Sequence, residues 1–253
     1  MSLVRRVTSR RQTDITQEWD AIASVRHHQI TSGKDLTYHN VLIPCITGAL
    51  SSLNSASLLD VGCGTGHLSN LLSRSLKDVT GIDPSRVSIE IAQEMNKDCP
   101  NVHLFQETIE DYAQHACSQH DVAVANMALM DCLNLPAVIG SIAAVTKPGG
   151  ALIATITHPW FWPRYWGYEQ EPWFRYHEEV IVQAPFAIST ESTDYFTTHV
   201  HRPLEVYFSC LEAHGFQVTS LGEPLPSPEV ESQYPAPWRF PRYLVFEAKL
   251  RLS

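Results

Sequence analysis

The chain has 253 residues, 44% of them hydrophobic, which is ample for one domain with a buried core and a sizeable insertion. A formal net charge of -9 argues against nucleic acid as a partner, because an acidic surface repels phosphate backbones. No run approaches the length of a membrane span, and six scattered cysteines without a C-x-x-C pair fit a reduced, cytoplasmic protein.

The start, MSLVRRVTSRRQTD, has charge but no apolar stretch, so no secretory signal is expected. Arg5, Arg6, Arg10 and Arg11 lie close together there without aromatics to stack on bases, and they read as a solvated tail. Residues 1–50 are expected to form a helical segment ending around YHNVLIPCITGAL, with His27 and His28 on the surface. Beyond it, strand and helix signals alternate. SLLDVG (57–62) reads as a strand and HLSNLLSRSL (67–76) as a helix. DVTGID (78–83) is the next strand. PSRVSIEIAQEMNKD (84–98) is a helix with Pro84 and Ser85 at its start, where a proline and a capping hydroxyl belong. VHLFQE (102–107) and the continuous apolar DVAVANMA (121–128) are strands, the second covered on both faces. A helix opens at Asn134 and ends at a KPGG turn, Lys147 to Gly150, before the strand ALIATITH (151–158). This alternation predicts a parallel sheet with helices on both sides.

Residues 159–200 make a connection about three times longer than an ordinary one, which marks a functional insertion or lid. Within it, TDYFTTHVHRPL reads as a strand leading to the last helix, RPLEVYFSCLEAHGF (202–216), stopped by Gly215. QVTSLGE (217–223) and RYLVFEAKLRL (242–252) follow as two strands with no helix between them, hence a hairpin that places one antiparallel strand in the sheet.

Gly62, Gly64 and Gly66 stand between the first of these strands and its helix, as G-x-G-x-G. Backbone this bare lets a ligand lie against it, and open α/β sheets bind ligands at the carboxyl ends of their strands. Asp83 ends the next strand about 20 residues beyond the glycines, where a carboxylate accepts ribose hydroxyls, so a nucleoside is indicated. The third glycine comes one residue earlier than in the dinucleotide fingerprint, and Asp60 precedes the first. Both features fit a ligand that lacks a pyrophosphate and carries a positive charge and an amino group.

On these residues the chain resembles the class I S-adenosylmethionine-dependent methyltransferases of small-molecule type. LLDVGCGTGHLS is similar to their first motif, VTGIDPS to the second, VHLFQETIEDY to the third and DVAVANMALMDC to the fourth. TKPGGALIATITHP resembles the helix–turn–strand that follows, and HRPLEVYFSCLEAHGFQVTSLGEPLP the C-terminal part of many members. The likeness is strongest over residues 55–160. It implies an α/β fold, Rossmann-like and doubly wound, with a mostly parallel seven-stranded sheet and one antiparallel strand. It implies a methyltransferase domain over 51–253, with 1–50 as a lid and the insertion 159–200 as a cap. The implied cofactor is S-adenosyl-L-methionine. Its methionine end would meet Gly62, Cys63, Gly64 and Gly66, with Asp60 near the amino group. Asp83 and Pro84 would hold the ribose, and Asn126 and Met127 would lie near the methyl. Tyr38 is similar to an aromatic that covers the cofactor in the family. The third motif often has an acid on the adenine amine; here Thr108 and Ile109 stand near that place, with the Ile109 backbone N–H and side chain to offer.

Methyl transfer from a sulfonium is an in-line displacement, in which alignment in a dry pocket matters most and a base helps where the nucleophile is a hydroxyl. His158 follows the strand 151–158 at the catalytic edge, where a histidine takes a proton near neutral pH or else orders the turn before Pro159. Tyr195, Thr197, His199 and His201 share one strand face, lining the pocket or meeting solvent. His201 precedes an Arg-Pro pair, as a histidine often does in related sequences, and is a second candidate base or a helix cap. His199 is a third. His199 and His201 also have the spacing of metal ligands, but no carboxylate triad accompanies them and no metal is expected. Four of the six tryptophans, Trp160, Trp162, Trp166 and Trp173, fall in the insertion, where rings wall a flat substrate or pack a subdomain. Trp160, Trp162 and Tyr195 are the expected substrate contacts. The expected activity is methylation of oxygen or nitrogen on a small aromatic or heterocyclic metabolite, by a monomer or homodimer. The alternatives are a carbon methyltransferase acting on an electron-rich ring, a tRNA or protein methyltransferase, and a non-catalytic cofactor-binding module.

Overall fold

A computed structural model describes residues 3–53 and 55–252. The chain enters through a two-residue strand, β1 (Arg5–Arg6), and a long helix, α1 (Gln12–Thr31). A π-helical stretch, Tyr38–Leu42, leads into α2 (Ile43–Ser51). The alternating part follows as β2 (Ser57–Val61), α3 (His67–Ser73), β3 (Asp78–Ile82), α4 (Arg86–Met95), β4 (Val102–Phe105), α5 (Ile109–His115), β5 (His120–Asn126), α6 (Leu135–Val145) and β6 (Thr146–Thr157). The insertion holds a single turn, α7 (Trp162–Tyr165), and the hairpin β7 (Val180–Ile188) and β8 (Glu191–His201). The chain closes with α8 (Leu204–Ala213), β9 (Phe216–Gly222), a single turn α9 (Pro228–Glu231) and β10 (Tyr243–Leu250).

Seven strands form the main sheet in the order β4-β3-β2-β5-β6-β10-β9. β10 runs antiparallel to both of its neighbours, and the other pairings are parallel. The apolar runs explain the layers, since a strand buried on both faces needs helices on both sides. Ile109, Tyr112, Ile139, Ile142, Tyr207 and Leu211 bring α5, α6 and α8 onto one face. Ile46 and Leu50 of α2 and Leu68 and Leu72 of α3 cover Leu58, Val79, Val122 and Ile153 on the other. The chain runs outward from β2 to β4 and then returns to set β5 on the other side of β2. That reversal opens a crevice beyond Val61 and Asn126, the general position for a ligand in such a sheet.

Three local readings change. The KPGG segment, expected as a turn, belongs to the β6 ladder: Thr146 pairs with His120 and Ala151 with Val122, so residues 147–150 bulge opposite Asp121. The bulge is held by the Lys147–Asp121 ion pair. α5 lies where the sequence reading places no helix; Thr108 caps it by accepting from the Asp111 N–H at 3.1 Å. The N-terminal arginines are not a loose tail, although Arg5, Arg6 and Arg11 do stay exposed. β1 pairs with β7, and β7 with β8, in a second, antiparallel sheet. Val4 is buried among Tyr168, Phe174, Val180 and Val182. Arg5 Nε donates to Gln183 Oε1 at 2.9 Å, and Arg10 pairs with Glu18 at 3.0 Å. The open edge of β7 offers unpaired backbone groups, and the tail satisfies them.

α1 is fastened over the crevice at both ends of this arrangement. Asp20 accepts from the Val87 N–H at 3.0 Å and from Ser85 Oγ at 2.6 Å, placing a carboxylate at the start of α4, where orphan N–H groups favour it. Glu18 Oε1 accepts from Gln183 Nε2 at 2.6 Å and Thr198 Oγ1 at 3.0 Å, tying the same helix to β7 and β8.

Candidate active site

A cavity of about 210 Å³ lies past the carboxyl ends of β2, β3 and β5, with α1 across it. Gly64 has a φ of +52°, and a Cβ there would meet nothing within 4 Å, so its bare face looks into open space. Gly66 serves another purpose. A Cβ there would lie 2.8 Å from Ala92 Cβ, so this glycine lets α3 pack on α4 and does not line the cavity. Gly62 and Cys63 do line it, as do Pro84, Asn126, Met127 and Tyr38. Burial pushes the Cys63 thiol well above its ordinary range, as it does the Tyr38 phenol, so both face the cavity uncharged at neutral pH.

Two carboxyl groups dominate its electrostatics. Asp60 is 1% exposed and accepts from Ser69 Oγ at 2.7 Å; burial pushes its carboxyl up to about 7. Asp83 accepts from the Gly64 N–H at 2.9 Å and the Ser85 N–H at 2.8 Å, yet burial still raises it to about 6. Acids held this high ionise fully when a cation comes close. A ligand with a sulfonium, an ammonium and a ribose fits these donors and acceptors. Thr108 and Ile109 do not reach the cavity: Thr108 caps α5, and the Ile109 side chain is buried in the core with Tyr112.

The backbone turns sharply where β5 ends. Met127 has a φ of 58°, uncommon for a residue with a side chain, and its N–H donates to Thr155 at 3.0 Å. Beyond it a second cavity of about 160 Å³ opens. Trp19, Arg26, Leu42, Met127 and Asp131 line both cavities. The second is walled by Trp162, Tyr165, Trp166, Phe186 and Tyr243. Its charges are few. Arg26 is paired with Asp35 at 2.7 Å. Asp131 accepts from Trp19 Nε1 at 3.0 Å. His199 is neutral at pH 7, because burial pushes its imidazole down to about 4.

Residues 46–221 match a family described as the methyltransferase domain. The chain belongs to that family. Over 103 residues it is 35% identical to the ubiquinone biosynthesis O-methyltransferase of Methylobacterium nodulans, covering 40% of this chain and 41% of that protein. The chain thus spans about two fifths of the length of the curated relatives it matches. A putative S-adenosylmethionine-dependent methyltransferase from Listeria monocytogenes superposes with a TM-score of 0.61 at 26% identity, over 78% of this chain and 92% of that one. The magnesium protoporphyrin IX methyltransferase of Synechocystis PCC 6803, solved with bound SAH, shares the fold with a TM-score of 0.62 at 16% identity, over 94% and 98% of the two chains. The methyltransferase domain of this chain is of the S-adenosylmethionine-dependent kind. No helix among its described residues is long and apolar enough to cross a membrane.

Of the histidines expected as bases, only His199 lines the second cavity of the methyltransferase. His158 is turned into structure: Nε2 meets Glu223 Oε1 at 2.8 Å, and Nδ1 accepts from the Trp160 and Phe161 N–H groups at 3.2 and 3.3 Å. Both nitrogens are thus engaged in ordering the turn after β6. His201 lies behind the cavity, Nε2 against the Tyr176 carbonyl at 2.9 Å and its ring on Phe174. Trp162 lines the second cavity, whereas Trp160 is half-exposed on Tyr176 and Tyr195 is exposed on the far part of β8. His27 is not free on the surface either; it stacks on His67, with Nδ1 3.1 Å from His67 Nε2. Sequence reasoning passes over Trp19, Arg26 and Asp131. Asp131 has a signal: an acid inside the apolar run NMALMDCLNL needs a reason to be drawn half-way out of solvent.

Proposed function

We propose that this protein methylates a hydroxyl of a small aromatic acceptor held in the second cavity. One observation carries the reading: an aromatic-walled cavity shares five of its lining residues with the cavity that suits the cofactor. When bound, S-adenosylmethionine supplies a methyl group on a sulfonium. The chain supplies the rest. Asp60 and Asp83 receive its ammonium and ribose, with Gly62, Cys63, Gly64, Pro84, Asn126 and Met127 against it and Tyr38 over it. Trp162, Trp166 and Tyr243 hold the acceptor ring by stacking and exclude water. The N-terminal segment 1–50 and the insertion 159–200 act as lid and cap, joined through β1 and Glu18. The O-methyltransferase relatives support oxygen as the acceptor atom. An amine is the second reading, because aromatic rings beside a carboxylate also suit a cation.

The test uses methyl-labelled S-adenosylmethionine with an extract of the source cells and a boiled-protein control. Enzyme-dependent label in the small-molecule fraction is expected, on a product whose methyl is an ether by mass spectrometry. Label in RNA or protein overturns the substrate class, and an N-methyl product selects the second reading.

A further inference from the structure

Resting on that reading of a small hydroxyl acceptor, we propose that Asp131 is the base that takes the acceptor's proton and that Trp19 is its positioning residue. Among the described residues, Asp131 is the only acid on the wall common to both cavities. The other ionisable group there, Arg26, is a cation. Asp35 borders the second cavity but is occupied by Arg26 at 2.7 Å and the Tyr38 N–H at 3.0 Å. His199 Nε2 is sealed from solvent, and its imidazole is pushed down by burial. In Asp131, Oδ2 is held by Trp19 Nε1 at 3.0 Å, and Oδ1 takes no hydrogen bond from the described residues.

The turn that carries Asp131 is clamped from two sides. From α1, Gln12 Nε2 donates to the Asp131 carbonyl at 3.0 Å and Gln12 Oε1 accepts from the Leu133 N–H at 2.9 Å. From the start of α8, buried Arg202 donates to the Leu129 carbonyl at 3.3 Å and the Leu133 carbonyl at 3.2 Å. A carboxylate on so fixed a turn has one free oxygen and a defined direction. The groups around it set its basicity. Burial pushes its carboxyl well above the usual range, Glu18 and Asp83 push the same way, and the Trp19 N–H and the Arg202 charge oppose them. Arg26, Asp35, Tyr165, His199 and Tyr243 are the other ionisable groups of the second cavity, and Cys132 and Tyr207 also feel the Asp131 charge. A carboxylate made more basic is the better proton acceptor near neutral pH.

The step balances. The acceptor O–H bond breaks and its proton passes to Asp131, while the hydroxyl oxygen forms a bond to the methyl carbon. The S–CH₃ bond breaks and its electron pair stays on sulfur, so a sulfonium and a carboxylate become a thioether and a neutral acid. Asp131 returns its proton to solvent after the product leaves.

The test compares wild type, Asp131→Asn and Trp19→Phe in single turnovers from about pH 6 to 9, with S-adenosylmethionine and the phenol catechol, whose hydroxyls stay protonated over most of that range, the product being read by mass spectrometry. Calorimetric binding of S-adenosylhomocysteine and a ¹³C-carboxyl NMR titration are read alongside. Asp131→Asn is expected to slow transfer about 100-fold or more while leaving cofactor-product affinity within about two-fold. A carboxyl resonance missing from that variant should titrate above the ordinary aspartate range. Trp19→Phe removes a donor to the carboxylate, so the acid limb of the rate profile should move to higher pH with transfer retained on the alkaline side. Transfer by Asp131→Asn within about three-fold of wild type overturns the proposal. So does loss of cofactor-product binding in that variant, which would place Asp131 in the cofactor cavity alone. If wild type binds the cofactor product but never methylates the phenol, the hydroxyl-acceptor reading itself fails, whatever the two variants do.

Discussion

Asp60 and Asp83 are acids that the fold alone does not want ionised. Their carboxyl groups are raised by burial to about 7 and about 6, so the folded chain binds protons there more tightly than the unfolded chain. The stability they contribute is present at low pH and is lost as pH rises through those values. Asp60→Asn should therefore raise the melting temperature of the ligand-free protein at pH 8 by several degrees, a gain of roughly 1–3 kcal/mol, while weakening cofactor affinity. A lower melting temperature would count against the buried charge. The same reasoning gives affinity for the cationic cofactor a rise between pH 5 and 8, measured by calorimetry. Asp83→Ala should cost an order of magnitude or more in cofactor affinity, since on the proposed placement it strips charge-assisted contacts to the ribose. His158→Ala belongs to a different class. It should lower the melting temperature and leave turnover per folded molecule intact, because its ring orders a turn through Glu223 and two backbone N–H groups. At this scale the glycines and acids of the first cavity are legible because loop spacing reports on them directly. The direction of a histidine ring is not, because that depends on Glu223, 65 residues away.

α1 shows what an element can hide. Its neighbours decide its faces: Asp20 caps α4, Glu18 receives β7 and β8, and Trp19 reaches the turn after β5. None of these partners is close in sequence, so periodicity reveals only a helix in the first 50 residues. The strands of the main sheet are legible for the opposite reason, as burial on both faces leaves a local apolar signature. β7 escapes a sequence reading because its open edge and Pro185 blur that signature, and β1 because two residues carry none. Glu18→Ala should raise the KM for the acceptor several-fold with little change in cofactor affinity, since it unties α1 from the insertion and spares Asp20. Unchanged acceptor kinetics would mean that β1 alone holds the cover in place.

Across the whole molecule, a doubly wound sheet supplies one binding edge, and two segments far apart in sequence close over it. The sheet and its reversal point place the first cavity, and their alternating pattern makes them readable. The second cavity is built from α1, the insertion and β10, so it exists only in the assembled fold. Five residues belong to both chambers. If acceptor and cofactor occupy the chambers as proposed, the shared wall makes the two thermodynamic partners: whatever the acceptor does to the cofactor's affinity, the cofactor must do to the acceptor's by the same factor. The two dissociation constants, each measured with the other site empty and then filled, should close such a cycle with a factor clearly different from one. A factor above one would mean that a methyltransferase of this build holds its substrates more tightly as a pair than singly, and a factor below one that each loosens the other.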